Sequence, residues 1–178
     1  MSPDSVTQAP APKAWAWRVV VFMASFALLQ LGWQASQDLR IKRLIVDDAT
    51  VKTAAALINR LTPSVHARSI NTAIHSPGGG INVINGCEGV EALLLLIAAF
   101  LVAPIRWRSR VCGLLCGLPF VFIVNQMRIL TLFYAHRGTP ALFDFLHGTV
   151  TPVVVILLVC GYYYAWLGSV PHAAATTR

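Results

Sequence analysis

Residues 90–135 read VEALLLLIAAFLVAPIRWRSRVCGLLCGLPFVFIVNQMRILTLFYA, two apolar runs separated by the arginine-rich pentapeptide RWRSR at 106–110. A helix that spans the hydrocarbon core of a bilayer needs about 20 predominantly apolar residues. Further apolar runs lie on either side of this pair. The pattern predicts an all-α fold, a polytopic transmembrane helical bundle of about four spans. The expected spans are 15–34, 88–106, 111–135 and 149–167.

The composition also indicates a membrane protein. Hydrophobic residues make up 56% of the 178-residue chain and charged residues only 12%, against about 25% charged residues in soluble domains. The net charge is +7, which in another setting would suggest nucleic acid. Because the basic residues flank the apolar runs, membrane lipid headgroups are the simpler partner, and no nucleic-acid partner is expected.

The sequence predicts a single membrane domain at 15–167. A disordered tail at 1–14 precedes it and a second tail at 168–178 follows it. No small-x-small cleavage site follows the first run, which predicts an uncleaved helix. The long polar segment 37–86 is predicted to contain an amphipathic helix at 47–61, capped by Asp47 or Asp48, that lies at the membrane surface. Its apolar face is expected to comprise Val51, Ala55, Ile58 and Leu61. An extended stretch is expected at 81–85.

Arginine and lysine near the span ends predict the orientation. Three arginines within 106–110 favour a cytoplasmic loop, and both termini are then inside as well. Segments 37–86 and 136–149 would lie outside, the second as a short polar loop. Six basic residues in 37–86 oppose this orientation, but they are spread over fifty residues and carry less weight. Pro119 is expected to kink the third span.

Three chemically capable residues fall at one height in this topology. At about 1.5 Å per residue, the distances from the expected cytoplasmic ends are roughly 28 Å for Cys87, 26 Å for Arg128 and 30 Å for His147. Each value is close to the thickness of the hydrocarbon core, about 30 Å. The three side chains, from three different spans, are therefore expected to meet at the outer edge of the bilayer.

Such a group has a coherent chemistry. A free cysteine has a pKa of about 8.5, and the unpaired N–H groups at a helix start would stabilise the Cys87 thiolate. His147 could take the thiol proton, and Arg128 could bind the oxyanion of a tetrahedral intermediate. Asn125 shares a helix face with Arg128, and Glu91 lies one turn after Cys87, so both are candidate substrate-binding or supporting residues.

Each residue also has a purely structural interpretation. Cys87 would be a small residue at a helix start, His147 a solvated interface residue, and Arg128 a side chain that extends to the lipid headgroups. An ionisable residue in an apolar run is costly, however, and is a functional candidate by default. Cys112 and Cys116 alternate with glycines and are interpreted as helix contacts. The chain has no CxxC pair and no zinc-finger spacing, so neither a metal site nor a cofactor is expected.

Three separate motifs resemble one known family. Residues 85–92 read NGCEGVEA, residues 125–129 read NQMRI and residues 143–147 read FDFLH. The order of a cysteine, N-x-x-R and a histidine at these intervals resembles the exosortase/archaeosortase family, over about residues 80–167. The short length and the string around Cys87 are most similar to the exosortase H subfamily. Larger members have more helices, and residues 148–152 lack the aromatic residue expected after His147.

The resemblance implies a membrane-embedded cysteine protease or transpeptidase. Its partners would be exported proteins with a C-terminal sorting tail, composed of a short motif, one transmembrane helix and a basic cluster. Cleavage would occur at the outer face of the bacterial inner membrane, and the new C-terminus would pass to water or another acceptor. The resemblance implies Cys87 as the nucleophile, Arg128 as the polar stabiliser and His147 as the general acid/base.

Two other classes of function remain open from the sequence. A four-helix thiol-disulfide oxidoreductase would need paired cysteines at the outer face, where the sequence places only Cys87. A non-enzymatic membrane scaffold would account for the apolar helices but not for the three residues at one height.

Overall fold

The computed structural model describes residues 12–36, 44–83 and 88–170. Within these residues the chain is mainly helical, and the all-α polytopic fold class is confirmed. A π-helical segment, Leu44–Val51, precedes α2, and a second one, Leu146–Val150, joins α5 to α6. The α-helices are α1 Pro12–Ala35, α2 Lys52–Leu61, α3 Val90–Val102, α4 Trp107–Gly138, α5 Pro140–Phe145 and α6 Thr151–Ser169.

Three stretches of the described chain are long and apolar enough to cross a membrane: Trp15–Ala35, Trp107–Gly138 and Pro140–Ser169. The fourth apolar helix, α3, has only 13 residues, which gives about 20 Å of rise. It ends earlier than the expected span because Pro104 disfavours the helical conformation of the residue before it. Ala103 is accordingly extended, with φ −62° and ψ 135°.

The end of α3 is closed by an arginine of the RWRSR pentapeptide. Arg110 donates to the carbonyl oxygens of Leu101 (3.0 Å) and Ala103 (2.7 Å). The last carbonyls of a helix have no partner within it, and an unpaired carbonyl in a bilayer is costly. The sequence predicted a loop at this pentapeptide. That prediction is wrong, because α4 already begins at Trp107.

Helix α4 is the longest element of the bundle. Its 32 residues extend over about 48 Å, which exceeds the hydrocarbon core of about 30 Å. Pro119 lies inside the helix without ending it. The C-terminal part of α4, which exceeds this thickness, packs against the segments of the chain that lie outside the helical bundle.

The expected loop at 136–149 is wrong, because most of it is helical. Thr139 is extended, and Pro140 then occupies the first turn of α5, a position for which its fixed φ is suited. The chain continues through the π-helical segment into α6, so that Pro140–Ser169 forms one apolar helical stretch of 30 residues. Polar residues such as Asp144 and His147 suggested a loop, but each is exposed or half-buried on a helix.

The amphipathic helix of the 37–86 segment exists, but its apolar face packs against protein. Val51, Ala55 and Ile58 are buried in a cluster with residues of the last turns of α4. The expected fourth member, Leu61, is 64% exposed. The predicted aspartate cap is also wrong within the described side chains, because helical structure starts at Leu44 and Asp48 instead pairs with Lys52.

A small antiparallel sheet completes this end of the molecule. It comprises β1 Arg68–Ile70, β2 Ala73–His75 and β3 Ile81–Asn82, in the order β1-β2-β3. The central Ile74 lies opposite Ser69 and Ile81. Strand β3 confirms the extended prediction for 81–82, whereas residues 84–85 lie outside the described part of the chain.

The last turn of α4 forms hydrogen bonds with the turn between β2 and β3. Arg137 donates to the Ser76 hydroxyl and to the Pro77 carbonyl, both at 2.9 Å. We call the end of the bundle that carries the sheet the sheet end.

Two separate hydrophobic clusters divide α4 along its length. The first unites α2 and the strands with Ile129, Leu132 and Phe133 of α4. The second unites α3, α4 and α6 around residues such as Leu96, Phe100 and Val121. Residues 125–128 lie between the two clusters and include the polar side chains Asn125, Gln126 and Arg128. Helix α1 packs against α3 and leaves Trp15 and Trp17 exposed.

Candidate functional site

A cavity of about 520 Å³ opens among α1, α3, α4 and the start of α6. We call it the site cavity. Its polar wall is formed by Glu91, Arg128 and His147, with Gly89 beside them. The remaining walls are apolar: Phe26, Ala92, Leu95, Pro152, Val155 and Ile156. The cavity therefore combines an apolar trough with ionisable groups at one end.

The site cavity unites several residues that the sequence singled out. Arg128 comes from α4, His147 from the π-helical segment and Glu91 from the first turn of α3. Arg128 and His147 therefore line one cavity, as their predicted common height would require. The lengths agree with this, since 21 residues separate Arg128 from the start of α4 and 22 separate His147 from the end of α6. The chemical role of each residue remains a prediction.

The expected nucleophile, Cys87, lies outside the described residues, as does the 84–87 segment. The nearest described part of the chain is the bend at 88–89, and Gly89 lines the site cavity.

Arg128 is held by a partner that the sequence analysis missed. Its Nε donates to the Thr151 hydroxyl at 3.1 Å. Thr151 is buried at the start of α6, so this contact joins α4 to α6 at the level of the site cavity. The available signal was weak, because a threonine that begins an apolar run looks like an ordinary helix start.

His147 is positioned by aromatic rings. Phe143, four residues earlier, stacks on it with a centroid distance of 5.4 Å and an interplanar angle of 5°. On α4, His136 meets the same phenylalanine edge to face at 5.1 Å. Phe143 precedes His147 by one helical turn, which is the spacing at which helix neighbours meet.

The bend before α3 fits closely against Asn125. Gly89 has φ +79°, and a Cβ placed there would lie 2.5 Å from the Asn125 Cγ atom. A side chain at position 89 would therefore have an unfavourable backbone and a steric clash. Glycine lets the start of α3 lie directly against α4.

Asn125 does not line the site cavity. It lines a smaller cavity of about 250 Å³, which we call the Asn125 cavity, together with Thr50, Glu88, Gly89 and Val90. Five apolar residues complete it: Ala49, Leu93, Leu118, Val121 and Phe122. Gly89 lines both cavities and so marks the place where they adjoin.

The Asn125 carboxamide is deeply buried, with 2% of the residue exposed. Neither its oxygen nor its nitrogen has a hydrogen-bond partner among the described residues. Leaving a buried polar group without a partner costs about 1–3 kcal/mol. A carboxamide in this condition is a candidate for ligand binding.

The other cysteines do not suggest a redox site in the described part of the chain. Cys112, Cys116 and Cys160 are free thiols, and the first two are exposed on α4. The described residues also contain no group of three or more histidine, cysteine or acidic side chains suited to a metal ion.

The fold and the site cavity thus define a class of protein: a polytopic membrane protein with ionisable side chains lining a cavity between its helices. Residues 16–165 match the family model described as transmembrane exosortase. Because that match covers most of the chain, the protein belongs to the transmembrane exosortase family. Searches of curated proteins and of solved structures found no match. The likeness to the exosortase H subfamily remains a prediction.

Proposed function

We propose that this protein is a cysteine peptidase or transpeptidase that cleaves C-terminal sorting signals of exported proteins. The observation that carries the proposal is the site cavity, where Arg128 and His147 meet at the start of α3. Family membership supports the same class of reaction, because exosortases are known as sorting-signal transpeptidases.

Chain connectivity supports Cys87 as the nucleophile. Cys87 is two residues before Gly89, which lines the site cavity. Two residues of polypeptide reach about 7 Å at most. A thiol at position 87 is therefore within reach of a substrate that lies against Arg128 and His147.

The proposed reaction proceeds by acyl transfer. His147 accepts the thiol proton, and the Cys87 sulfur attacks the carbonyl carbon of the scissile bond. Arg128 stabilises the resulting oxyanion, and the imidazolium returns the proton to the leaving amine as the C–N bond breaks. Water or an acceptor amine then attacks the thioester, which releases the thiol and yields an acid or a new amide.

The shape of the site cavity supports a substrate that is tethered in the membrane. Its apolar walls extend from Arg128 along Leu95, Val155 and Ile156, a surface that suits the apolar helix of a sorting tail. The substrate is proposed to carry a short motif, one transmembrane helix and a basic cluster. We place the reaction at the outer face of a bacterial inner membrane, with both termini of the enzyme inside.

The test uses an exported reporter that ends in such a tail, taken from the same proteome and coexpressed with the full chain. Wild-type protein should shorten the reporter, and Cys87→Ala should abolish this while inserting normally into the membrane. Arg128→Gln should lower kcat about 100-fold or more, as expected for loss of an oxyanion partner. A thioester between Cys87 and the reporter, detected by mass spectrometry, would establish the intermediate.

Cys112→Ala provides the matched control, because this exposed thiol lies on α4 near its start. It should cleave the reporter like wild type. Unchanged cleavage by Cys87→Ala would refute the cysteine mechanism. Loss of activity in both cysteine variants with a redox-dependent phenotype would favour the thiol oxidoreductase instead, and a chain whose variants are all neutral would be a scaffold.

A further inference from the structure

We propose that Asn125 binds the main chain of the polypeptide substrate in the Asn125 cavity. The carboxamide would pair with one backbone N–H and one backbone C=O of the substrate. This inference rests on the proposed function and adds a second contact region, which adjoins the site cavity at Gly89.

The first support is the state of the side chain. Asn125 is 2% exposed, and both polar atoms lack a partner among the described residues. Burying an amide without compensation is unfavourable. Its neighbour Gln126 is also buried and its oxygen also lacks a partner among the described residues, but its nitrogen donates to the Thr50 carbonyl at 3.4 Å.

The second support is the cavity that Asn125 lines. The Asn125 cavity measures about 250 Å³, whereas one water occupies about 30 Å³ in the liquid. The cavity therefore holds more than a single bridging water. Phe122 and Leu118 line it and are 37% and 43% exposed, so the cavity reaches the surface of the bundle and a chain can enter.

The third support is chemical complementarity. A carboxamide presents an acceptor oxygen and donor N–H groups side by side. A peptide unit presents the matching donor and acceptor, without a charge that apolar walls would oppose. An aliphatic ligand would leave both carboxamide atoms unpaired, and a charged ligand would lose its hydration against Leu93 and Val121. A neutral main-chain amide is the ligand class that satisfies both the walls and Asn125.

The position relative to the proposed chemistry fits a substrate contact. Gly89 packs against Asn125 and also lines the site cavity. A polypeptide that crosses this bend meets Asn125 before or after it meets Arg128. Since Asn125 has no reacting atom to contact in this arrangement, it is a binding residue whose effect falls on KM and on substrate orientation.

The test combines Asn125→Leu with ester-for-amide replacements at each bond near the cleaved position of the sorting-tail reporter. Leucine has the branching of asparagine but no hydrogen-bonding atoms. In the wild type, one ester position should lower kcat/KM about tenfold, as expected for a lost hydrogen bond of about 1.4 kcal/mol. In Asn125→Leu, kcat/KM should be lowered for the normal substrate, and the same ester should cause no further loss.

A stability measurement separates binding from a purely structural role. Replacing a buried amide that has no partner by an apolar group of similar shape is neutral or stabilising. Asn125→Leu should therefore unfold at the same or a higher temperature than wild type without substrate. Gln126→Leu is the matched control, because it removes the neighbouring buried carboxamide; it should leave the ester pattern unchanged.

Three results would overturn the inference. They are full activity of Asn125→Leu, ester effects of equal size in wild type and variant, and a lowered unfolding temperature that alone explains the lost activity. If Asn125→Leu does not accumulate in the membrane, Asn125→Ala, which also lacks hydrogen-bonding side-chain atoms, takes its place in the ester comparison. A wild-type enzyme that fails to cleave the reporter would instead refute the proposed function.

Discussion

Arg128 shows how one buried contact can join two helices at a candidate site. Its Nε donates to Thr151 across the α4–α6 interface. A hydrogen bond to a charged group contributes about 1.5–3 kcal/mol, more than a bond between neutral groups. The orientation of the guanidinium in the site cavity therefore depends on a residue with no chemistry of its own.

Thr151→Val should lower kcat/KM for the sorting-tail reporter about tenfold while the protein still inserts and folds. Valine keeps the shape of threonine but removes the oxygen that accepts from Arg128. The guanidinium then loses a hydrogen bond that fixes its orientation. Thr151→Ser retains the hydroxyl and should stay close to wild type. Equal activities of the valine and serine variants would contradict a positioning role for Thr151.

The sequence was informative about residues whose chemistry conflicts with their surroundings. Arg128 stands out because a charge in an apolar run requires an explanation, and the structure places it with His147 on one cavity. Thr151 and Phe143 were not found, because each is an ordinary residue for an apolar helix. Their significance comes from partners 23 and 4 residues away, which only the packing reveals.

At the scale of elements, the short helix α3 depends on a side chain from its neighbour. Arg110 of α4 donates to two carbonyl oxygens at the α3 C-terminus. In a membrane such carbonyls cannot rely on water for a partner. The turn between α3 and α4 is therefore stabilised by an arginine of the pentapeptide from which the orientation was predicted.

Arg110→Met should lower the unfolding temperature of the detergent-solubilised protein, measured by thermal unfolding. Methionine retains much of the apolar stem but leaves both carbonyls without their donor, at a cost of about 1–3 kcal/mol for each unpaired group. Arg108→Met removes an exposed arginine of the same pentapeptide and should have little effect. If both variants unfold alike, the α3 terminus does not depend on Arg110.

Element boundaries were predicted less well than element types. The apolar runs identified the helices, but α3 stops before Pro104 and the segment after Thr139 is helical rather than a loop. Proline decides both cases, in opposite directions: it ends a helix at the preceding residue and also begins one. Polar residues near His147 obscured the second case, because one face of that helix accommodates them.

At the scale of the molecule, α4 organises the two hydrophobic clusters. About two-thirds of its length belongs to the membrane bundle, and the remainder supports α2 and the sheet. The sequence predicted an amphipathic helix but placed it at the lipid surface, since nothing local to residues 47–61 indicates contact with Ile129 or Phe133. Periodicity identifies an apolar face, but not what covers it.

The orientation is tested with single cysteines in a chain whose four native cysteines are replaced by alanine. Arg68→Cys lies on exposed β1 and Arg108→Cys at the exposed start of α4. A membrane-impermeant maleimide should label position 68 in intact spheroplasts and position 108 only after permeabilisation, because arginine-rich ends remain inside. The reverse pattern would invert the proposed topology, and labelling of both positions from one side would contradict a span between them.

Aromatic rings at the junction of α4 and α5 connect the sheet end with the candidate base, His147. Phe143 lies in contact with both His136 and His147. Arg137, which follows His136 in the chain, donates hydrogen bonds to the turn between β2 and β3. The ring contacts and the Arg137 hydrogen bonds therefore place the β2–β3 turn and His147 within one continuous set of side-chain contacts. The surroundings of the candidate base thus extend beyond the site cavity to the surface of the sheet.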